Sequence, residues 1–178
     1  IDKCNLKNGK GVLRLNWSRG INDKHGLNFI TTKRSSAGHL FWLELRCIEP
    51  NFNKISTLIS RHEKRNTFSK LNLHKTFEYS QSIQALQEAH QAGYDEALLE
   101  NNHQELCCGT TSNIIIKRKN TLLTPRLESG CFPGIMRQQG LDAGILQEAR
   151  LSKEPEKNDK WLLINSLSCK PIYKVNET

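Results

Sequence analysis

Four short apolar runs follow one another between residues 95 and 125, each separated from the next by polar residues that favour turns. In "DEALLENNHQELCC" the turn falls at Asn101-Asn102, and in "NIIIKRKNTLLTP" it falls at Asn120. Short apolar runs with such boundaries are typical of β-hairpins. Because two strands joined by a tight turn run antiparallel, this part of the chain predicts a largely antiparallel sheet.

Elsewhere the apolar residues change between a period of two and a period near that of a helix. Strands are predicted at 11–17, at 38–48, at 54–62, in "WLLINS" and in "PIYKV", and the strand at 38–48 is expected to be more buried than the first. A helix is predicted after Thr76, with Gly93 as its stop and with these residues near helical spacing: Phe77, Ile83, Leu86 and Ala89. A second helix is predicted over 133–150. This mixed order predicts an α+β fold.

The chain carries 26 basic and 18 acidic residues, a net charge of +8. The basic residues are spread along the chain, and the longest basic run is "KRK" at 117–119. A dispersed excess favours a small anionic substrate or cofactor over a nucleic-acid surface, which stays a distant alternative. No apolar run is long enough to span a bilayer, and "IDKCNLKNGKG" lacks the apolar region of a secretory signal. We therefore expect a cytoplasmic protein.

The cysteines show no metal-binding pattern. None of them forms a C-x-x-C pair, so a zinc site is not predicted; they are Cys4, Cys47, Cys107, Cys108, Cys131 and Cys169. Side chains alternate faces along a strand, so Cys107 and Cys108 are expected to point apart and not to bridge. We expect reduced thiols that pack as small apolar groups.

The segment "TPRLESGCFPGIMR" (124–137) combines the end of a strand, a loop with two glycines and the start of a helix. The first amides of a helix have no acceptor within the helix and carry the positive end of its dipole. Glycine at such a point lets a phosphate approach the backbone. Taken alone, the pattern is more common at ordinary helix starts.

Together with its neighbours, this segment resembles the class IV, pyridoxal-phosphate (PLP) aminotransferase family of fold type IV. The matching pieces occur in order between residues 74 and 167: a lysine before a helix, "GYDEALL", "TTSN" before an apolar strand, "LLTPRL", "PGIMR" and "LLINSL". The family includes branched-chain and D-amino-acid aminotransferases and aminodeoxychorismate lyase. "TPRL" and "GIMRQ" are most similar to the lyase.

The resemblance also implies a two-domain organisation. "VLRLNWSRG" is similar to the last part of the family's small N-terminal domain, and "CIEPNF" is similar to its interdomain linker. The expected division is 1–48 for the remainder of the small domain, 49–53 for the linker and 54–178 for the large PLP-binding domain. The family's first strands, which usually supply a phosphate-binding arginine and part of the substrate pocket, have no counterpart here. The small domain is therefore expected to be incomplete.

Roles for individual residues follow from the resemblance. Lys75 would form the covalent bond with PLP, which needs an amine that can lose its proton near neutral pH, as burial beside the cofactor would allow. Phe132 would pack against the pyridine ring, and Arg126 and Arg65 are candidates for contact with a substrate carboxylate. The remaining cofactor contacts would come from Gly134, Ile135, Met136, and Asn165 or Ser166.

Cys108 is the point at which the sequence departs from the family. Five residues before the asparagine of "TTSN", the family carries a glutamate that bonds the protonated pyridine nitrogen, and here Cys108 occupies that cofactor-binding position. Glu105 lies three residues earlier, and an odd offset on a strand points to the opposite face, so it could substitute only with a bulge. Because a thiol is a weak hydrogen-bond partner, the ring would be a weaker electron sink.

A weaker electron sink disfavours transamination more than a reaction with its own driving force. We therefore expect a PLP-dependent lyase of folate biosynthesis that converts 4-amino-4-deoxychorismate to 4-aminobenzoate and pyruvate and gains an aromatic ring. The alternatives are a class IV aminotransferase acting on branched-chain or D-amino acids, and a degenerate member without catalytic activity. The resemblance further implies a homodimer, an anionic small-molecule substrate, no metal, and no nucleic-acid or membrane partner.

Overall fold

A computed structural model describes residues 11–18 and 39–177 of the chain. The chain divides into two compact units, Ile1–Glu49 and Pro50–Thr178. Strands dominate both units, and two α-helices accompany the strands of the second, which confirms the predicted α+β class. The domain boundaries predicted at residues 48 and 53, and the assignment of each part to a family domain, stay predictions.

The described part of the first unit is a hairpin of two strands, β1 (Gly11–Ser18) and β2 (Leu40–Cys47). They pair antiparallel in a continuous register, which confirms both predicted strands. The expectation that the second strand is well buried is wrong, because Phe41 is 64% and Leu43 is 55% exposed. Among the residues of this unit that the structure describes, the two strands have no second layer against which such side chains could pack.

The second unit is built on one mixed sheet of eight strands. They are β3 (Ile55–Arg65), β4 (Glu96–Asn101), β5 (Leu106–Gly109), β6 (Asn113–Arg118), β7 (Thr121–Pro125), β8 (Leu146–Ala149), β9 (Lys160–Asn165) and β10 (Ser168–Glu177). Their order in the sheet is β5-β4-β3-β10-β9-β6-β7-β8, and an additional β5–β6 pair closes the first six into a ring. The hairpins predicted between residues 95 and 125 and the two late strands are confirmed.

Most of the described strand pairs are antiparallel, as predicted, but three pairs are parallel. β3 runs parallel to β4 and to β10, and β7 runs parallel to β8. A parallel pair needs a crossover connection, and α1 (Ser80–Gln91) supplies it between β3 and β4. The remaining pairs are antiparallel; tight turns join four of them, and β6 and β9 pair although they are distant in the sequence.

The buried face of α1 consists of small residues, Ser82, Ala85 and Ala89. Small side chains let the helix backbone lie close to the sheet. The predicted apolar face is wrong in part, because Ile83 is 53% exposed and Phe77 precedes the helix. Gly93 ends the helix as predicted: its φ is +80°, a conformation that glycine adopts without strain.

The second helix is shorter than predicted. α2 spans Ile135–Asp142, and the segment expected to continue it to residue 150 instead turns at Gly144, where φ is +67°. The chain then forms β8, which pairs with β7 along the open edge of the sheet. Backbone pairing at this edge outweighs the helical spacing of the sequence.

The core occupies both faces of the sheet. One cluster draws side chains from all six strands of the ring and fills it: Ile55, Ile59, Leu98, Leu106, Ile114, Ile116, Leu151, Trp161 and Leu163, with Ile172 and Val175 packed against them. A second cluster lies between α1 and the sheet: Leu58, Ala85, Ala89, Ala97, Leu99, Cys107, Cys108 and Cys131. No helix in the described part of the chain is long and apolar enough to cross a membrane.

Candidate active site

Lys75 lies in the connection between β3 and α1. It follows His74, the cap of the short 3-10 helix Lys70–Leu73. Its side chain is exposed, and its Nζ lies 5.9 Å from the centroid of the Phe132 ring. A cation at this distance from an aromatic ring is weakly attracted to it. The structure therefore brings together two residues that the sequence predicts for one cofactor site.

The start of α2 lies beside Phe132. Gly134 is its cap residue, and the Gln138 amide donates the first helical hydrogen bond to the Gly134 carbonyl at 2.9 Å. The amides of Ile135 and Met136 therefore have no acceptor inside the helix. The first turn has neither a side-chain cap nor an acidic residue, so the positive end of the helix dipole is open to an anion.

Asn165 is the last residue of β9, and Ser166 follows it in the turn that leads to β10. The Asn165 Oδ1 accepts hydrogen bonds from the Leu167 amide at 2.9 Å and from the Ser168 hydroxyl at 3.0 Å, which stabilise the turn. The Asn165 Nδ2 donates to the Ser112 Oγ at 3.1 Å, whereas Ser166 is exposed. The turn is thereby joined to the segment between β5 and β6.

Asn113, at the start of β6, is a residue whose role sequence reasoning missed. Its Nδ2 donates a hydrogen bond to the Phe132 carbonyl at 2.7 Å, and it follows Ser112, which holds Asn165. Two adjacent residues thus hold the two segments that were predicted to contact phosphate. The signal available in the sequence was a polar residue at the first position of a strongly apolar strand.

Thr110 connects the same β5–β6 segment to the opposite side of the site. Its hydroxyl donates to the Glu96 carboxylate at 2.6 Å, and its carbonyl accepts from the Ser82 hydroxyl at 2.8 Å. The Arg65 Nη2 donates to the same Ser82 hydroxyl at 3.3 Å. A continuous set of hydrogen bonds therefore runs from α1 through Thr110 into the sheet.

Arg137 anchors the first turn of α2. It is 1% exposed, and its Nη2 donates to the Pro125 carbonyl at 2.8 Å and pairs with the Glu148 carboxylate. These contacts tie the helix to the ends of β7 and β8. The side chain is thus directed into the protein and not toward an anion at the start of the helix, which favours a structural role.

Replacing this arginine is expected to destabilise the fold. Arg137→Met keeps an unbranched chain but leaves the Pro125 carbonyl without its strongest donor, and should lower the free energy of unfolding by about 1–3 kcal/mol. Urea denaturation measures the change. The matched control is Arg150→Met, since Arg150 is 76% exposed and pairs with Glu105 at 3.3 Å; its cost should stay within about 1 kcal/mol. Equal losses in the two variants would contradict the anchoring role.

Cys108 lies in the cluster beneath α1. Leu99 pairs with Cys108, and Glu100 pairs with Leu106, so the register of β5 shifts at Cys107. Because of this bulge, Cys107 and Cys108 both belong to the cluster, and the expectation that they point to opposite faces is wrong. Both are free thiols, as predicted.

Arg65 is the charged neighbour of Cys108. Arg65 and Cys107 are the two groups that lower the pKa of the Cys108 thiol. A hydrogen bond with Cys107 lowers the pKa of Cys108 most; burial opposes it, and the charge and hydrogen bond of Arg65 bring the pKa to about 7. The pKa of Cys107 is raised, first by that hydrogen bond and then by burial. Cys108 is therefore the more acidic thiol of the pair.

The lowered pKa makes stability depend on pH. The folded pKa of Cys108, about 7, lies below the ordinary 9.0, so its contribution is full above pH 9 and is lost as the pH falls through 7. The difference in free energy of unfolding between wild type and Cys108→Ser should grow by about 1–2 kcal/mol from about pH 6 to pH 8.5. Urea titrations across this range measure it. Cys169→Ser, outside the cluster, is the control, and a pH-independent difference for Cys108→Ser would refute the ionised thiolate.

Glu105 does not supply a carboxylate at position 108. Its Oε2 accepts from the Asn101 Nδ2 at 2.9 Å and from the Ser129 hydroxyl at 2.8 Å. Its Oε1 pairs with the Arg150 Nε at 3.3 Å. Both oxygens are therefore engaged elsewhere, in spite of the bulge that separates Glu105 from Cys108.

Arg126 is exposed and has an extended backbone, with φ of −66° and ψ of 155°. Its carbonyl accepts from the Ser129 amide at 3.0 Å and from the Cys131 thiol at 3.5 Å. The backbone of Arg126 thus shapes the loop that leads to Phe132. Contact of its guanidinium, or that of Arg65, with a substrate stays a prediction.

The basic run at 117–119 lies at the opposite end of β6 from Asn113. It borders a depression of about 370 Å³ lined by Lys117, Arg118, Lys119, Glu156, Lys157, Asn158 and Lys160. Arg118 is paired there with Glu156 and Asp159, each at 2.8 Å, so part of the positive charge is compensated. Within 11–18 and 39–177, no cluster of His, Cys, Asp and Glu is arranged to hold a metal ion.

Comparison with known proteins identifies the family of this chain and the solved structures that share its fold. The profile of the amino-transferase class IV family matches residues 1–175. A search of curated proteins gave no match. Among solved structures, a protein proposed to be an amino-acid aminotransferase from Mesorhizobium loti is 28% identical, with a TM-score of 0.71 over 80% of this chain and 70% of that one.

Two further structures share the fold at lower identity. A protein proposed to be a 4-amino-4-deoxychorismate lyase from Legionella pneumophila is 21% identical, with a TM-score of 0.77 over 93% of this chain and 62% of that one. The PLP form of a branched-chain amino acid aminotransferase from Thermobaculum terrenum is 22% identical, with a TM-score of 0.68 over 77% of this chain and 48% of that one. The chain therefore spans between 48% and 70% of the length of these three structures.

The family profile covers nearly the whole sequence, and the sheet has the same fold as enzymes of fold type IV. The predicted family, the predicted fold type and the PLP dependence that goes with them are confirmed. The chain belongs to the amino-transferase class IV family of PLP-dependent enzymes.

Proposed function

We propose that this chain forms part of a PLP-dependent lyase that converts 4-amino-4-deoxychorismate to 4-aminobenzoate and pyruvate. The observation that carries this proposal is Cys108, which is buried in the cluster beneath α1 at the position where the family's glutamate is expected. The protein from Legionella pneumophila, proposed to have this activity, supports the shared fold.

The described residues fit PLP at its aldehyde and phosphate ends. Lys75 offers an amine beside the Phe132 ring. Ile135 and Met136 follow Phe132 in the chain, and their amides have no acceptor inside α2. Asn165 or Ser166 would add a side-chain contact to the phosphate. When bound, PLP supplies a carbonyl carbon that bonds an amine and a ring that withdraws electrons from the bonded substrate. In the proposal, Lys75 first holds the cofactor and then moves a proton as a general base and acid.

At the ring-nitrogen end, the proposal relies on a difference in charge. A carboxylate would hold a proton on the pyridine nitrogen, whereas Cys108 offers a single sulfur whose negative charge is favoured by the nearby Arg65 guanidinium. A ring without that proton withdraws electrons less strongly. Loss of pyruvate from aminodeoxychorismate produces an aromatic product, and this driving force compensates for the weaker ring. Amino transfer between an amino acid and a keto acid has no such compensation.

The test is a product analysis with the full chain and added PLP. Incubation with 4-amino-4-deoxychorismate should release equimolar pyruvate, detected with lactate dehydrogenase, and 4-aminobenzoate, detected by its fluorescence. Lys75→Ala should release neither above the uncatalysed rate. Amino transfer to 2-oxoglutarate without pyruvate release would refute the lyase.

The second candidate is a class IV aminotransferase for branched-chain or D-amino acids. The protein from Mesorhizobium loti, at 28% identity, favours it. Exchange of the amino group between such amino acids and 2-oxoglutarate would identify this activity. A chain that gains no visible absorption with PLP and catalyses neither reaction would instead be the degenerate member.

The proposal includes a cytoplasmic homodimer with an anionic small-molecule substrate. The net charge of +8 supports an anionic substrate. Free thiols at Cys47, Cys107, Cys108, Cys131 and Cys169 suit a reducing compartment. Apolar side chains around the site are exposed, including Ile135 at 66%, and a second subunit could cover them. Light scattering after gel filtration would test the dimer.

A further inference from the structure

We propose that Asn113 is a positioning residue that holds the phosphate-binding start of α2 in place, an inference that rests on the PLP binding proposed above. Asn113 is 6% exposed. Its backbone pairs with Cys108 of β5 on one side and with Ile164 of β9 on the other. A residue held between two strands has little freedom, so the sheet determines where its side chain points.

The amide of Asn113 fixes the bend that precedes α2. Its Nδ2 donates to the Phe132 carbonyl at 2.7 Å, and the Gly134 amide donates to the same oxygen at 2.9 Å. Both hydrogen bonds converge on the Phe132 carbonyl oxygen, two residues before Gly134, the cap residue of α2. The position of the Ile135 and Met136 amides relative to the sheet therefore depends on Asn113.

Gly134 gives independent support for this contact. Its φ of −68° and ψ of 146° are open to every residue, so glycine is not needed here for its backbone conformation. A Cβ at this position would lie far inside van der Waals contact with the Asn113 Oδ1 and 3.3 Å from the Asn113 Cγ. Glycine is needed because the start of α2 is pressed against the asparagine side chain.

The consequence is selective for the phosphate. Asn113 acts through the backbone that leads to α2, whereas the aldehyde end of the cofactor depends on the Lys75 amine. Pyridoxal has the same aldehyde and ring but no phosphate. A loss of Asn113 should therefore weaken the binding of PLP more than the binding of pyridoxal, and a general loss of structure would weaken both.

The experiment titrates the full chain and Asn113→Ala with PLP and, separately, with pyridoxal, and follows the absorbance of the adduct with Lys75. The Kd for PLP should rise about tenfold and that for pyridoxal less than about twofold. Asn120→Ala, in the exposed β6–β7 turn, is the control and should change neither Kd. An unchanged Kd for PLP, or equal factors for both compounds, would overturn the proposal.

Gly134→Ala provides a second test that leaves Asn113 in place, in case Asn113→Ala does not fold, as judged by circular dichroism and its urea midpoint. It should also raise the Kd for PLP more than that for pyridoxal. The double variant Asn113→Ala/Gly134→Ala should bind PLP more tightly than Gly134→Ala alone, because the atom that the new methyl group meets is gone. Equal losses for PLP and pyridoxal in Gly134→Ala, or multiplied losses in the double variant, would count against it.

The outcomes separate this inference from the proposed reaction. A wild-type chain that binds PLP at Lys75 and shows the Asn113 effect but releases no pyruvate contradicts the lyase alone. A chain that releases pyruvate but binds PLP equally well in wild type and Asn113→Ala contradicts the positioning role alone. A wild-type chain that does not bind PLP contradicts both.

Discussion

Lys75→Ala is expected to lose the covalent link to PLP completely, because no other amine is predicted to reach the cofactor's aldehyde carbon. In the wild-type chain, added PLP should produce a visible absorption band, and reduction with borohydride should attach the cofactor permanently to the peptide that contains Lys75. The variant should show neither result, and its product formation should fall by at least about a thousandfold. Absorption spectra and peptide mass spectrometry measure the two effects.

Lys70→Ala is the matched control for this experiment. Lys70 begins the short 3-10 helix of the same connection and is exposed, as Lys75 is. Its replacement should leave the absorption band and the labelled peptide unchanged. Labelling at another lysine, or an undiminished band in Lys75→Ala, would show that the covalent site has been assigned wrongly.

Cys108→Glu is expected to change which reaction the site favours. A carboxylate at this position has two oxygens, so one could pair with Arg65 while the other holds a proton on the pyridine nitrogen, which would strengthen the ring as an electron sink. The rate of amino transfer from an amino acid to 2-oxoglutarate should rise at least about tenfold, an effect of about 1.4 kcal/mol on the barrier. The larger side chain must fit a buried position, so a loss of stability of about 1–3 kcal/mol is also expected.

Cys108→Gln separates charge from size. Glutamine has nearly the shape of glutamate but cannot ionise, so it should carry a similar stability cost without the gain in amino transfer. Both variants are compared with wild type at saturating PLP, with amino transfer followed in single turnovers. If the two variants have equal amino-transfer rates, the charge at position 108 does not control the reaction.

Elements defined by local patterning were predictable from the sequence. Strands such as β6 and β9 combine apolar residues with flanking turn signals, and both strand pairing and burial favour the same answer. The end of α2 was not predictable, because the segment after Gly144 has an acceptable helical pattern. It forms β8 only because it pairs with β7, which lies earlier in the sequence. The burial of β2 was misjudged for a related reason: burial needs a second layer, which a strand's own sequence does not encode.

The site was predictable at the level of motifs and less so at the level of contacts. Lys75 and Phe132 were assigned to one site from the family resemblance, and their side chains lie together. The bulge at Cys107 could not be read from the sequence, because it arises from the register of β5 against β4. Arg65 and Cys108 lie on β3 and β5, which are far apart in the sequence, so their proximity could not be read from the sequence either.

The closure of the ring has a consequence for the local stability of the sheet. Its sixth pairing, between β5 and β6, rests on a single residue pair, Cys108 with Asn113. In this short pairing, Cys108 lies on β5 and Asn113, which holds the start of α2, lies on β6. A local opening of the β5–β6 pairing would separate Cys108 from Asn113 and leave the longer strand pairings intact. In the proposal, PLP held by Lys75 and by the start of α2 would stabilise this short pairing against local opening.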